Sequence, residues 1–121
     1  MVLILGGVGA GKTAYARSLG YTDADFTTDV SNEKPVLCHL EALVRRDPDA
    51  ADALFLPLLQ KELVLCCEVG SGVIPLDAHE RAWREATGRL CCALAKEATA
   101  VVRVVCGVPI ALKGELPCAY D

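Results

Sequence analysis

GGVGAGKT, Gly6 to Thr13, follows directly on the apolar run Val2 to Leu5 and fills the phosphate-loop pattern G-x-x-x-x-G-K-[ST]. Each position has a physical task. Glycines let successive backbone N–H groups curl around a phosphate, a lysine reaches the β/γ oxygens, and a hydroxyl ligates Mg²⁺. Gly6, Gly7, Val8, Gly9, Ala10 and Gly11 are the expected cradle, Lys12 the phosphate cation and Thr13 the metal ligand. Thr13 to Leu19 suits a helix whose N-terminal dipole adds to the attraction for an anion. A chance match in a glycine-rich turn is the plain alternative, and the strand before and helix after count against it. The loop by itself names no reaction, because kinases, GTPases and ATPases share the cradle.

The rest of the chain bounds what surrounds this loop. A length of 121 residues fits a single domain, residues 1–121, that is short for a P-loop enzyme. Hydrophobic residues make up 53% and aromatics only 5%, so the core is expected to be Val, Leu, Ala and Cys packed between a sheet and helices. A net charge of −4 offers no basic field for a polyanion, which argues against nucleic acid as a partner. No apolar run reaches the roughly 20 residues of a membrane span, and the expectation is a cytoplasmic protein. Seven cysteines, an odd number without C-x-x-C spacing, read as reduced, buried thiols.

Periodicity places the elements. The acidic stretch Tyr21 to Lys34 reads as loop, and Val36 to Leu40 as a short strand competing with a helix through Val44. Asp47 and Pro48 resemble an N-cap and first helical residue for a helix over Ala50 to Gln60, which Pro57 would kink or end. Leu63 to Cys67 reads as a strand covered on both faces, ending at Glu68 and the glycine-rich turn Val69 to Gly72. Asp77 is expected to cap a long helix reaching about Glu97. Trp83, Ala86, Leu90, Ala93, Leu94 and Glu97 trace one face of it. Val101 to Cys106 is a further buried strand, followed by a short apolar end at Ile110 to Leu112. The resulting β-α-β-α-β-α-β order predicts an α/β fold, a mostly parallel sheet with helices on both faces.

Three blocks resemble the adenosylcobinamide kinase/adenosylcobinamide-phosphate guanylyltransferase family, the P-loop enzymes of cobalamin nucleotide-loop assembly. LGGVGAGKT is similar to the family's GG-x-x-SGKS loop. EVGSGVIP, Glu68 to Pro75, is followed at matching spacing by Arg81, Arg84, Gly88 and Arg89. VVRVVCGVPIALK, Val101 to Lys113, looks like the family's closing strand and its G-x-P-x-x-x-K ending. The resemblance implies a P-loop NTPase-like three-layer sandwich, ATP or GTP with Mg²⁺, and phosphorylation of the aminopropanol hydroxyl of adenosylcobinamide. It also implies assembly of like subunits, so a homo-oligomer is compatible with this chain.

The departures are specific. The family's insertion after the P-loop helix, whose histidine accepts GMP, is short here and holds no histidine, so the guanylyltransferase half is expected to be absent. His39 and His79 lie outside the family's motif and read as packing or surface residues. Where the family's second strand ends near an acidic residue, VLCHLEA puts Cys38 or His39, and Glu41 reaches that place only if the chain bends. Cys67 stands where an asparagine commonly precedes the EVG glutamate.

Candidate catalytic residues are therefore Lys12, for charge on the transferring phosphoryl group, and Glu68, for a metal-bound water or the proton of a substrate hydroxyl. An ordinary solvated glutamate explains Glu68 equally well from position alone. Arg81 and Arg84 are candidate phosphate ligands, while Glu85, four residues from both Arg81 and Arg89, offers the alternative of a solvated face of ion pairs. A non-catalytic nucleotide-binding or interaction protein is the competing function.

Overall fold

The computed structural model describes residues 1–69 and 77–117. In chain order they form β1 (Val2–Gly6), α1 (Lys12–Ser18), a 3₁₀ turn at Asp23–Asp25, β2 (Phe26–Thr27), β3 (Val36–Leu37) and α2 (Leu40–Arg46). A 3₁₀ stretch over Pro48–Leu54, α3 (Phe55–Leu59), β4 (Leu63–Cys67), α4 (Ala78–Glu97), β5 (Ala100–Val105) and β6 (Val108–Lys113) follow. The six strands lie in the order β2-β3-β4-β1-β5-β6, parallel throughout except for β6, which runs antiparallel to β5. This is the α/β, mostly parallel, P-loop NTPase-like architecture.

Alternation along the strands makes two apolar faces, because successive side chains point to opposite sides of a sheet. Leu3, Leu37, Val64, Cys66 and Val101 are buried against Leu40 and Val44 of α2, Leu58 of α3 and Leu90 and Leu94 of α4. Ile4, Val36, Leu63, Leu65, Val102 and Val104 are buried with Ala16 of α1. The central strands are apolar on both faces and therefore read as unbroken apolar runs. No helix among the described residues is long and apolar enough to cross a membrane.

The ends of α4 are closed by side chains. Asp77 accepts from the backbone N–H groups of His79 and Glu80 at 2.7 and 3.4 Å. At the other end Lys113 Nζ of β6 donates to the carbonyls of Ala95 and Lys96 at 2.9 and 2.8 Å, satisfying groups that a helix terminus leaves unpaired.

Several boundaries differ from the sequence reading. The expected helix over Ala50 to Gln60 is instead the 3₁₀ stretch followed by α3, and Asp47 makes no side-chain cap there. Pro57 neither kinks nor ends α3, because it occupies the first turn, where an N–H has no intrahelical acceptor to lose. Strand and helix at Val36 to Val44 are successive rather than competing: β3 stops at Leu37 and α2 starts at Leu40. The acidic loop contains the 3₁₀ turn and β2, and the apolar end at Ile110 to Leu112 is part of the antiparallel edge strand β6. Glu97 is exposed rather than on the packed face of α4. The six described cysteines are free, but only Cys66 is buried: Cys38, Cys67 and Cys91 are partly exposed, and Cys92 and Cys106 are exposed. Gly70 to Leu76, with most of the EVGSGVIP block, and Cys118 lie outside the described residues.

Candidate functional site

The loop between β1 and α1 curls over the carboxyl end of the sheet. Gly9 and Gly11 take positive φ, 73° and 100°, in the region that favours glycine. A Cβ on Gly6 would stand 2.8 Å from the Val104 carbonyl oxygen, so β5 also demands a bare backbone here. Two bonds fix the loop's outer limb: Ala10 N–H to the Gly7 carbonyl at 3.1 Å and Gly107 N–H to the Ala10 carbonyl at 2.8 Å. Lys12 folds back across it, its Nζ donating to the carbonyls of Gly6 (3.1 Å) and Gly7 (2.8 Å) and to Cys67 Sγ (3.4 Å).

A cleft of about 320 Å³ opens beside this lysine, lined by the loop, Thr13 and Ala14 of α1, and Cys38, His39, Glu41, Leu65 and Cys67. It lies at the carboxyl ends of β1, β3 and β4, where open α/β sheets take ligands. Of the sequence-derived candidates, Val8, Gly9, Gly11, Lys12 and Thr13 line it together. Gly6, Gly7 and Ala10 complete the loop around it through the bonds given above. The glycine cradle and the half-buried Thr13 beside Lys12 fit a nucleotide phosphate with its divalent cation.

Glu68 is placed differently. On β4 the side chains of Leu63, Leu65 and Cys67 face α1 and the cleft, so the next residue, Glu68, turns to the opposite face. There its carboxylate binds Arg103 of β5 in a two-pronged pair, Nε to Oε1 at 2.7 Å and Nη2 to Oε2 at 3.2 Å. Its own N–H continues the ladder to the Gly6 carbonyl at 2.9 Å. Arg81 and Arg84 stand near the start of α4 and are not among the described residues that line the cleft. Arg89 pairs with Glu85 at 3.9 Å, an i,i+4 ion pair on the solvated face of α4.

The acidic group that does enter the cleft is Glu41. After β3 the backbone of His39 takes a left-handed turn, φ 59°, and α2 starts at the next residue, which swings Glu41 back over the end of β4. There its Oε2 accepts the N–H of Cys67 at 3.1 Å. That N–H points away from β1, and β3 has already ended, so the carboxylate takes the place of a missing strand partner. Burial raises the Glu41 carboxyl, but the N–H donors of Cys67 and of Glu41 itself, the Cys67 thiol and the nearby His39 outweigh it, and the net position is below the ordinary value. His39 Nδ1 stands 3.6 Å from Oε1.

The same carboxylate shapes its neighbours. The Cys67 thiol is pushed up by burial and by Glu41's charge, against the pull of Lys12. Burial likewise raises the Cys38 thiol, whose Sγ donates to the Thr27 carbonyl. Behind the turn, Trp83 of α4 donates its indole N–H to the Glu41 carbonyl at 2.7 Å, and the Arg45 guanidinium lies 3.9 Å from the indole ring centroid. Arg45 also meets Glu80 at 2.9 Å, so α2 and α4 are clamped together where the cleft wall begins.

A family model described as "Cobinamide kinase / cobinamide phosphate guanyltransferase" matches residues 41–112 of the 121, more than half of the chain. The match begins at Glu41, so the glycine-rich loop lies before the matched stretch. No curated protein matches the sequence.

Proposed function

This chain belongs to the cobinamide kinase / cobinamide phosphate guanyltransferase family, and from that premise we propose that it is a kinase that binds ATP or GTP at the Lys12 loop and phosphorylates the aminopropanol hydroxyl of adenosylcobinamide. The observation that carries this reading is the position of Lys12, folded over the Gly6 and Gly7 carbonyls at the edge of the cleft. Binding of a triphosphate exchanges those carbonyls for β/γ oxygens. Lys12 then neutralises charge that grows on the transferring group, and the backbone N–H groups of Gly11, Lys12 and Thr13 at the start of α1 hold the donor in line. The Thr13 hydroxyl would hold Mg²⁺, which when bound offsets charge on the β- and γ-oxygens. Little covalent chemistry is asked of the protein, so positioning dominates.

Loss of the guanylyltransferase half is part of this proposal, supported by the short segment between α1 and β3, which contains no histidine. In this reading Arg81 and Arg84 reach phosphate only in the loaded protein, and Glu68 acts through its pair with Arg103, which ties the ends of β4 and β5 across β1.

The test is mass-spectrometric detection of adenosylcobinamide phosphate after incubation with ATP or GTP and Mg²⁺, with nucleotide binding followed in parallel. Product from the wild type and its loss in Lys12→Ala is the expected result. The Glu68–Arg103 pair favours a second reading, a nucleotide-binding protein without turnover, because it holds the glutamate off the cleft. Lys12-dependent binding without product would select that reading; absence of binding would remove both.

A further inference from the structure

We propose that His39 accepts the proton of the acceptor hydroxyl during phosphoryl transfer, with Glu41 as its positioning residue. This rests on the kinase reading above. His39 lines the same cleft as Lys12 and Thr13, and its side chain is 64% exposed at the mouth, where an acceptor must enter. Glu41 behind it is only 14% exposed, fixed by the Cys67 N–H, and presents its second oxygen 3.6 Å from His39 Nδ1. With Nδ1–H directed at that carboxylate, the Nε2 lone pair is free for a substrate proton. The distance is longer than a formed hydrogen bond and shortens as the ring gains charge, as catalytic contacts do on loading.

The backbone supplies a second reason. A non-glycine residue at φ 59° is uncommon, and such conformations persist where the surroundings over-determine them, often at functional sites. The charged and titratable groups that line the cleft with the imidazole are Glu41 of α2, the adjacent Cys38, and Lys12 and Cys67 from the loop and β4. Arg45 is engaged by Trp83 and Glu80. Both thiols are raised and stay protonated near neutrality.

In the step, the acceptor oxygen forms its bond to the γ-phosphorus while the bond from that phosphorus to the β,γ-bridging oxygen breaks. The nucleoside diphosphate leaves with the electron pair. The hydroxyl proton passes to Nε2 and is released to solvent after the product departs.

Two variants separate chemistry from backbone shape, since glycine and asparagine both tolerate the left-handed turn. His39→Gly and His39→Asn are each expected to lower kcat for adenosylcobinamide phosphorylation by about 10²- to 10⁴-fold with nucleotide Kd unchanged. Added imidazole is expected to restore part of the His39→Gly rate. Glu41→Gln should lower kcat at unchanged nucleotide Kd, with Glu41→Asp recovering part. Turnover of both His39 variants close to wild type, or loss of nucleotide binding in step with turnover, overturns the assignment while leaving the kinase intact. No product from the wild type overturns the kinase reading and this role with it.

Discussion

At the scale of single residues, the loop depends on two different properties of glycine. Gly11 combines φ 100° with a position where an added Cβ would stand 3.2 Å from the Cα of Gly107. Gly7 has neither constraint: no neighbour lies within 4 Å of its Cβ position. Gly11→Ala is expected to lose about 1–3 kcal/mol of stability, while Gly7→Ala stays close to wild type. Urea titrations of the two variants measure the difference, and equal midpoints would contradict the account of the turn. The pairing of Glu68 with Arg103 follows from strand parity, one residue beyond the cleft-facing Cys67. That parity is legible in LVLCCEVG once Leu65 is known to face α1, but which face carries α1 is a tertiary fact.

At the scale of elements, α4 was the most legible because local and tertiary signals agree. Its cap, its apolar stripe and its length all follow from the sequence, and the folded helix starts and stops at the expected residues. Asp77→Ala is expected to destabilise by about 1 kcal/mol through two unsatisfied N–H groups, read as a lower urea midpoint at unchanged slope. The stretch from Pro48 to Leu59 was the least legible. Only Ala51 and Leu58 there are buried, and docking against α4 selects them, so no single helical period is imposed on the segment. The two-residue β3 stops at Leu37 although Val36 to Leu40 is nearly continuous in apolar character, which is why strand and helix compete there in the sequence. The left-handed turn at His39, which ends it, has no signature as clear as a glycine.

At the scale of the whole molecule, the doubly covered sheet could be read from apolar runs. The cleft wall could not, because Glu41 meets Cys67 across 26 positions of sequence and only after β3, β4 and α2 have assembled. That contact makes a prediction for the protein as a whole. The folded Glu41 carboxyl lies below the ordinary glutamate value of 4.5, so near that pH the folded state binds fewer protons than the unfolded chain. Its stabilisation is complete above the unfolded value and is lost as pH falls through the folded one. Unfolding free energy measured from neutral to acid pH should therefore fall less steeply in Glu41→Gln than in wild type, and parallel curves would contradict the Cys67 contact. Trp83 is the chain's one tryptophan, and its indole is bonded to the backbone of Glu41 itself. The unlabelled protein thus carries an optical gauge of its own cleft: nucleotide entering beside Lys12 should register as a change in tryptophan emission that Lys12→Ala abolishes.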